Sequence, residues 1–266
     1  MSRLRLAVLQ AMVCLAIGSG VTAQPSLAGD EDLSQEANDP TASVMAFQIG
    51  DWNSFRYHNL DDGHDNTVAL RAAIPFKTGG ISHIFRVTAP IVTDNPFLDS
   101  GLSDLTMFDL VVFNESWGRW GVGAVALVPT GGDTRGTDQW AVGPAIGFVA
   151  RPANNILMGM FNQNLFHVTG GQDLGQEDVN ISNFQPILNI GLGSGWSVGL
   201  SEMQIVYDWN EHRFTRIPLG LQVAKLQRFG QQPVQFSLQY EHNFVHDLIA
   251  SSDTVRATAK FLIPTQ

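Results

Sequence analysis

From Thr67 to Ile263 apolar and polar residues alternate in short runs, joined by connections that are short and long in turn. A period of two marks an extended strand with one apolar face. The clearest case sets Val68, Leu70, Ala72, Ile74 and Phe76 against Thr67, Ala69, Arg71, Ala73 and Pro75. Ile217, Leu219, Leu221 and Val223 likewise oppose Arg216 and Gln222. Val255, Ala257, Ala259, Phe261 and Ile263 oppose Thr254, Arg256, Thr258 and Lys260. The pattern predicts twelve strands, near 43–58, 67–76, 81–92, 105–113, 119–129, 139–150, 156–168, 179–192, 196–207, 214–227, 234–246 and 254–263. Gly50 and Asp51 interrupt the first, so 43–49 reads either as a bulged strand start or as a short plug.

The tight connections are 77–80, 114–117, 151–155, 193–195 and 228–233, and the longer ones are 59–66, 93–104, 130–138, 169–178, 208–213 and 247–253. Short turns on one side and longer loops on the other describe an up-and-down antiparallel barrel of the outer membrane. A soluble sandwich also alternates, with its apolar face inward. Three features favour the barrel. The six longer loops carry 15 of the 25 acids. Trp117, Trp120 and Trp196 flank tight turns while Trp140 and Trp209 flank longer loops, the placement of two interfacial girdles. The strand count is even, which sends both chain ends to the tight-turn, periplasmic side. Strand glycines such as Gly121, Gly123 and Gly143 fit a curved sheet.

The N-terminus reads as a cleaved signal peptide over 1–23. Arg3 and Arg5 precede a 12-residue apolar run broken only by Gln10, and Val21, Thr22 and Ala23 precede the cut. The run is too short for a spanning helix, which needs about 20 apolar residues. Residues 24–42 follow as an acidic, flexible periplasmic tail, with Asp30, Glu31, Asp32, Glu36 and Asp39 close together. The barrel domain is 43–266. Cleavage removes Arg3 and Arg5 from the 15 basic residues and none of the 25 acids, moving the net charge from −10 to −12. That balance argues against nucleic acid as a partner, since phosphate binding needs a basic surface. Cys14 lies in the apolar run, so the mature chain has no disulfide or thiolate metal site.

Charged residues on inward-facing strand positions are the functional candidates. Arg71, Arg86, Asp109, Glu202, Arg216, Glu241, Arg256 and Lys260 are expected to line the lumen, because basic side chains toward lipid cost several kcal/mol near the midplane (~2–4 each). Spread along a water path they would set selectivity. Paired across a narrow barrel they would hold it shut. No catalytic constellation emerges: no histidine is followed two residues later by serine, and His167 is followed by Thr169. His242 and His246 sit four apart, about 13 Å on a strand, which is too far to chelate one metal. No metal or cofactor is expected.

Four segments carry a resemblance: VALRAAIPF at 68–76, WGVGAVALVPT at 120–130, QWAVGPA at 139–145, and IPLGLQVAK at 217–225 followed by GQQPV at 230–234. With the ending AKFLIP at 259–264, they resemble the outer-membrane transporter-like proteins labelled "neuromedin U", related to the MetA-pathway phenol degradation family. The resemblance implies an outer-membrane barrel and uptake of small, apolar or aromatic solutes. The expected partners are outer-membrane lipid, the barrel-assembly machinery and a small solute, with the protein a monomer. The expected function is a passive channel or transporter. The alternatives are a non-conducting envelope barrel with a structural or adhesive role through its acidic loops, and an envelope hydrolase.

Overall fold

The structure is a computed structural model that describes residues 28–171 and 177–264. The expected signal peptide and residues 24–27 of the expected tail lie outside the described residues.

The chain forms a closed antiparallel barrel of twelve staves. Eight staves run in order from the N-terminal side: β1 (Val44–His58), β2 (Asp65–Thr78), β3 (Ile81–Asp94), β5 (Leu105–Glu115), β6 (Gly118–Val128), β7 (Gln139–Ala153), β8 (Ile156–Gly170) and β9 (Asn180–Gly193). The two-residue β4 (Gly101–Leu102) pairs with β3 inside a long loop. The ninth stave is split into β10 (Trp196–Leu200) and β11 (Ile205–Asp208). The tenth is β12 (Arg213–Arg216) followed by β13 (Pro218–Phe229). The last two are β14 (Gln232–Asn243) and β15 (Ala250–Pro264). Pairing of β1 with β15, from Val44 opposite Pro264 to His58 opposite Ala250, closes the ring. Closure leaves no unpaired sheet edge.

Alternation along each stave sorts the side chains. Leu70, Val142, Ile146, Val223, Leu221 and Leu238 point outward and are exposed. Their neighbours Ala69, Ala141, Ala145, Gln222 and Gln239 point inward and are buried. All five expected girdle tryptophans, Trp117, Trp120, Trp140, Trp196 and Trp209, lie at stave ends, and all but Trp120 are exposed. The outer face is thus an apolar belt.

The lumen has two unlike halves. From β3 to β9 the inner face is mainly apolar and packs on itself, with Arg86 and Arg119 at its border: Ile84, Phe108, Leu110, Val125, Leu157 and Phe161 belong to one buried cluster. Phe108 and Phe161 meet with ring centroids 5.0 Å apart. Glycines permit this tight curvature. A Cβ on Gly123 would lie 1.8 Å from the Asp109 carbonyl oxygen of the adjoining stave. From β10 round to β2 the inner face is polar and charged.

The segment before β1 differs from the expected solvated tail. Residues 28–36 form helix α1 (Ala28–Glu36), and Leu33, Ser34, Gln35, Ala37, Asp39, Thr41 and Ala42 are buried. Leu33 and Ala37 pack on Leu226 and Leu262 of the barrel wall. A nine-residue helix is marginal alone, so its stability comes from this packing. The run of acids reads as solvated, but Arg119 of the barrel wall supplies the partner that allows Asp39 to be buried. Residues 28–42 therefore fill the tight-turn half of the lumen as a plug. Residues 44–58 are one continuous strand, so the alternative of a plug over 43–49 is not what forms.

Candidate functional site

The charged half of the lumen is organised around two carboxylates. Glu241 on β14 accepts hydrogen bonds from Arg256 at 2.5 Å and Arg216 at 2.8 Å through the same oxygen. Ser201 donates to its other oxygen at 3.3 Å. Glu202 accepts from Arg71 at 2.6 Å, and the Lys260 ammonium lies 3.7 Å away. Such charge-assisted bonds, made away from bulk water, fix these side chains more firmly than surface pairs.

Glu202 reaches this position because its stave breaks. Strict alternation would send it outward with Val198 and Leu200. The ladder of β10 ends at Leu200 opposite Leu221, and pairing resumes only with Ile205 opposite Phe184. Facing the break are Pro186, which has no N–H to donate, and Pro218 at the start of β13. Between the two ladders the chain turns inward. The Glu202 backbone N–H donates to Gln239 at 3.0 Å, and Arg256 donates to the Glu202 carbonyl at 2.9 Å. Lumen side chains thus replace the missing strand partners of Glu202.

The plug is tied to the same cluster. Arg119 on β6 donates to one oxygen of the Asp39 carboxylate at 2.5 Å and lies 3.9 Å from Glu36. The other Asp39 oxygen accepts from the Thr41 backbone N–H and hydroxyl at 2.7 and 2.6 Å. Lys260 donates to the Ala37 carbonyl at 2.6 Å, and Gln222 donates to the Asn38 side chain at 3.1 Å. Gln35 donates to the Asn155 carbonyl at 3.3 Å, in a space left by Gly191. The plug is therefore held by polar bonds to several staves.

Two small cavities, each of about 40 Å³, flank the plug. Both are lined by Arg86, Lys260, Ala37, Asp39 and Pro40. The first continues along the stave break to Ile187 and Leu200, and the second runs to Ile84, Ala73 and Leu262. Arg86 lies over the Phe108 ring at 5.0 Å, and its Nε is shielded from solvent with no hydrogen-bond partner. Trp52 also points inward, with the Arg256 guanidinium 5.0 Å from its ring.

Seven of the eight expected lumen residues face inward: Arg71, Arg86, Glu202, Arg216, Glu241, Arg256 and Lys260. Asp109 does not. It pairs across strands with Phe85 and Ala124 on the outer face, where His83 bonds it at 2.9 Å. The inner positions of β5 are Phe108, Leu110 and Val112, because this half of the lumen is apolar. Arg119, Asp39 and the glutamines 222, 235 and 239 were not among the expected residues. Arg119 was legible, since it shares parity with Gly121, Gly123 and Val125 on the inner face. At the other end of the barrel His58 approaches His242 and His246, with ring centroids 5.9 and 6.4 Å apart.

No family model matches this sequence, and no curated protein matches it. The resemblance to the phenol-degradation family rests on the quoted motifs alone. Among solved structures, the chain is similar to the COG4313 outer membrane channel from Pseudomonas putida F1. Identity is 14%, the match covers 84% of this chain and 97% of that one, and the TM-score is 0.57. It is also similar to outer membrane phospholipase A from Escherichia coli, at 10% identity, covering 90% and 99% of the two chains, with a TM-score of 0.43. At 14% identity the likeness to the channel is one of fold: this chain has the fold of an outer-membrane barrel.

Proposed function

We propose that this protein sits in the outer membrane and acts as a passive channel for small solutes, held shut by its own N-terminal segment. The carrying observation is the plug: residues 28–42 occupy a lumen lined with fixed charge, tied there by reversible bonds such as Arg119–Asp39 and Lys260–Ala37. A purely structural barrel has no need of a separate stopper. The apolar outer belt supports membrane insertion, since only a closed barrel spans lipid without unpaired backbone. Similarity in fold to a solved outer-membrane channel supports the conducting reading. In this reading the tight turns and the plug are periplasmic, and the acidic loops are external. The apolar half of the lumen suits the small apolar or aromatic solutes that the family resemblance implies.

The self-packed apolar half and the Arg216–Glu241–Arg256 bridge favour a second reading, a barrel that never opens. Planar-bilayer recording separates the two. The channel reading predicts discrete openings of the full-length protein, rare at low voltage. Complete silence at all voltages, with the folded barrel shown by its shifted gel mobility, would select the closed barrel.

A further inference from the structure

We infer that the lumen holds a binding site for small amphipathic carboxylates, centred on Arg86 and shared with the plug. The inference deepens the channel reading and rests on it only for its consequence, not for the binding itself.

The first observation is a charge imbalance among the described residues. Arg71, Arg86 and Lys260 gather near Glu202, which is bonded by Arg71 and approached by Lys260, with Asp39 the other acid near Arg86. Asp39, the next nearest acid, is taken up by Arg119 and Thr41. Arg86 makes no ion pair among the described residues, and its Nε is a shielded donor without an acceptor. A donor left unmatched away from water is costly, and a guanidinium is shaped to bind a carboxylate through two parallel bonds.

The second observation is the space. Arg86 and Lys260 line both cavities beside the plug, with Asp39 in both, Glu202 in the first and Glu36 in the second. Those acids are already engaged by Arg119, Arg71 and Lys260, and each cavity continues from this charged edge to apolar side chains. One arm reaches Ile187 and Pro186, and the other reaches Ile84 and Leu262. Each cavity, of about 40 Å³, is roomier than one water needs but small for a drug-sized ligand. The fitting chemistry is a carboxylate on a short hydrocarbon body. A cavity of this size holds about one or two waters, so butyrate and benzoate would both have to displace the plug, because Ala37, Asp39 and Pro40 form one side of both cavities. A carboxylate at Lys260 would also compete with the Ala37 carbonyl for the ammonium. Binding is thereby linked to plug release.

The test is calorimetric titration of the full-length, detergent-folded protein with butyrate and with benzoate, beside the neutral analogue benzyl alcohol. The expected result is saturable binding of the carboxylates, at least tenfold weaker binding of benzyl alcohol, and at least a tenfold loss for Arg86→Gln with partial rescue in Arg86→Lys. If Arg86→Gln fails to fold, Lys260→Met is expected to give the same loss. Equal binding of the neutral analogue, or carboxylate binding unchanged by the variants, would overturn the site. Conductance is recorded separately. Binding without any opening would leave the site standing and remove the channel reading, whereas openings without carboxylate binding would remove the site alone.

Discussion

Asp39 and Arg119, 80 positions apart in sequence, form a 2.5 Å ion pair that joins the plug to the barrel wall. The Asp39 side chain is almost wholly buried, and its second oxygen is satisfied within the plug itself. Arg119 is thus the plug's charged anchor on the wall. Removing one partner of a buried pair typically costs about 3–5 kcal/mol. Arg119→Ala should spend that loss on plug docking rather than on barrel closure, since no stave depends on the pair. Open probability in a planar bilayer should rise at least tenfold, with the unfolding midpoint of the barrel nearly unchanged. A large fall in the midpoint without new openings would show that the pair holds the wall.

Glu202 carries the opposite prediction. Its carboxylate compensates Arg71 and Lys260, and its backbone bridges the broken stave to Gln239 and Arg256. Glu202→Gln leaves two cations crowded without their acid. We expect a loss of about 2–4 kcal/mol in urea unfolding from lipid vesicles. An unchanged midpoint would mean that water, not Glu202, balances those cations.

The His83–Asp109 pair lies on the outer face, with His83 stacked on Phe76 at 4.8 Å. Polar groups facing lipid are expensive, and an ion pair away from water is often bettered by apolar replacement. The double variant His83→Phe/Asp109→Leu should be neutral or more stable, by up to about 4 kcal/mol. Clear destabilisation in vesicle unfolding would show that the pair meets a polar partner at that surface.

Phe161 is fully buried in the apolar half of the lumen, against Phe108. Phe161→Ala should cost about 3–5 kcal/mol, the usual range for a buried aromatic. A cost below about 1 kcal/mol would mean that water already reaches this wall.

The twelve staves were legible because nearly every one shows a period of two, and the turns between them differ sharply in length. Inward direction was legible for Arg71, Arg216, Arg256 and Lys260, whose strands are apolar on one face only. It failed at Asp109. Both faces of β5 are apolar, so polarity no longer reports which way a residue points. Glu202 reads as inward by polarity although its parity points outward. The stave break reconciles the two, and Pro186 opposite it was the available signal. The plug was not legible, because an acidic, aperiodic segment looks solvated until its partners are known. Those partners, Arg119, Lys260 and Gln222, lie on three different staves, far apart in sequence from the plug, and share no local motif.

Residues 28–42 close a charged lumen. The most direct test of that closure is the conductance and reversal potential of protein lacking 28–42, measured across a salt gradient beside the full-length protein. Without the plug, the six cations Arg71, Arg86, Arg119, Arg216, Arg256 and Lys260 face three acids among the described residues, Glu202, Glu241 and, beside Arg216, Asp65. A fixed excess of positive charge along a pore favours anions. The deletion variant should be a persistently open, anion-selective channel where the full-length protein is mostly shut. A deletion variant that folds yet stays closed, or that opens with cation selectivity, would contradict closure of a charged lumen by this segment.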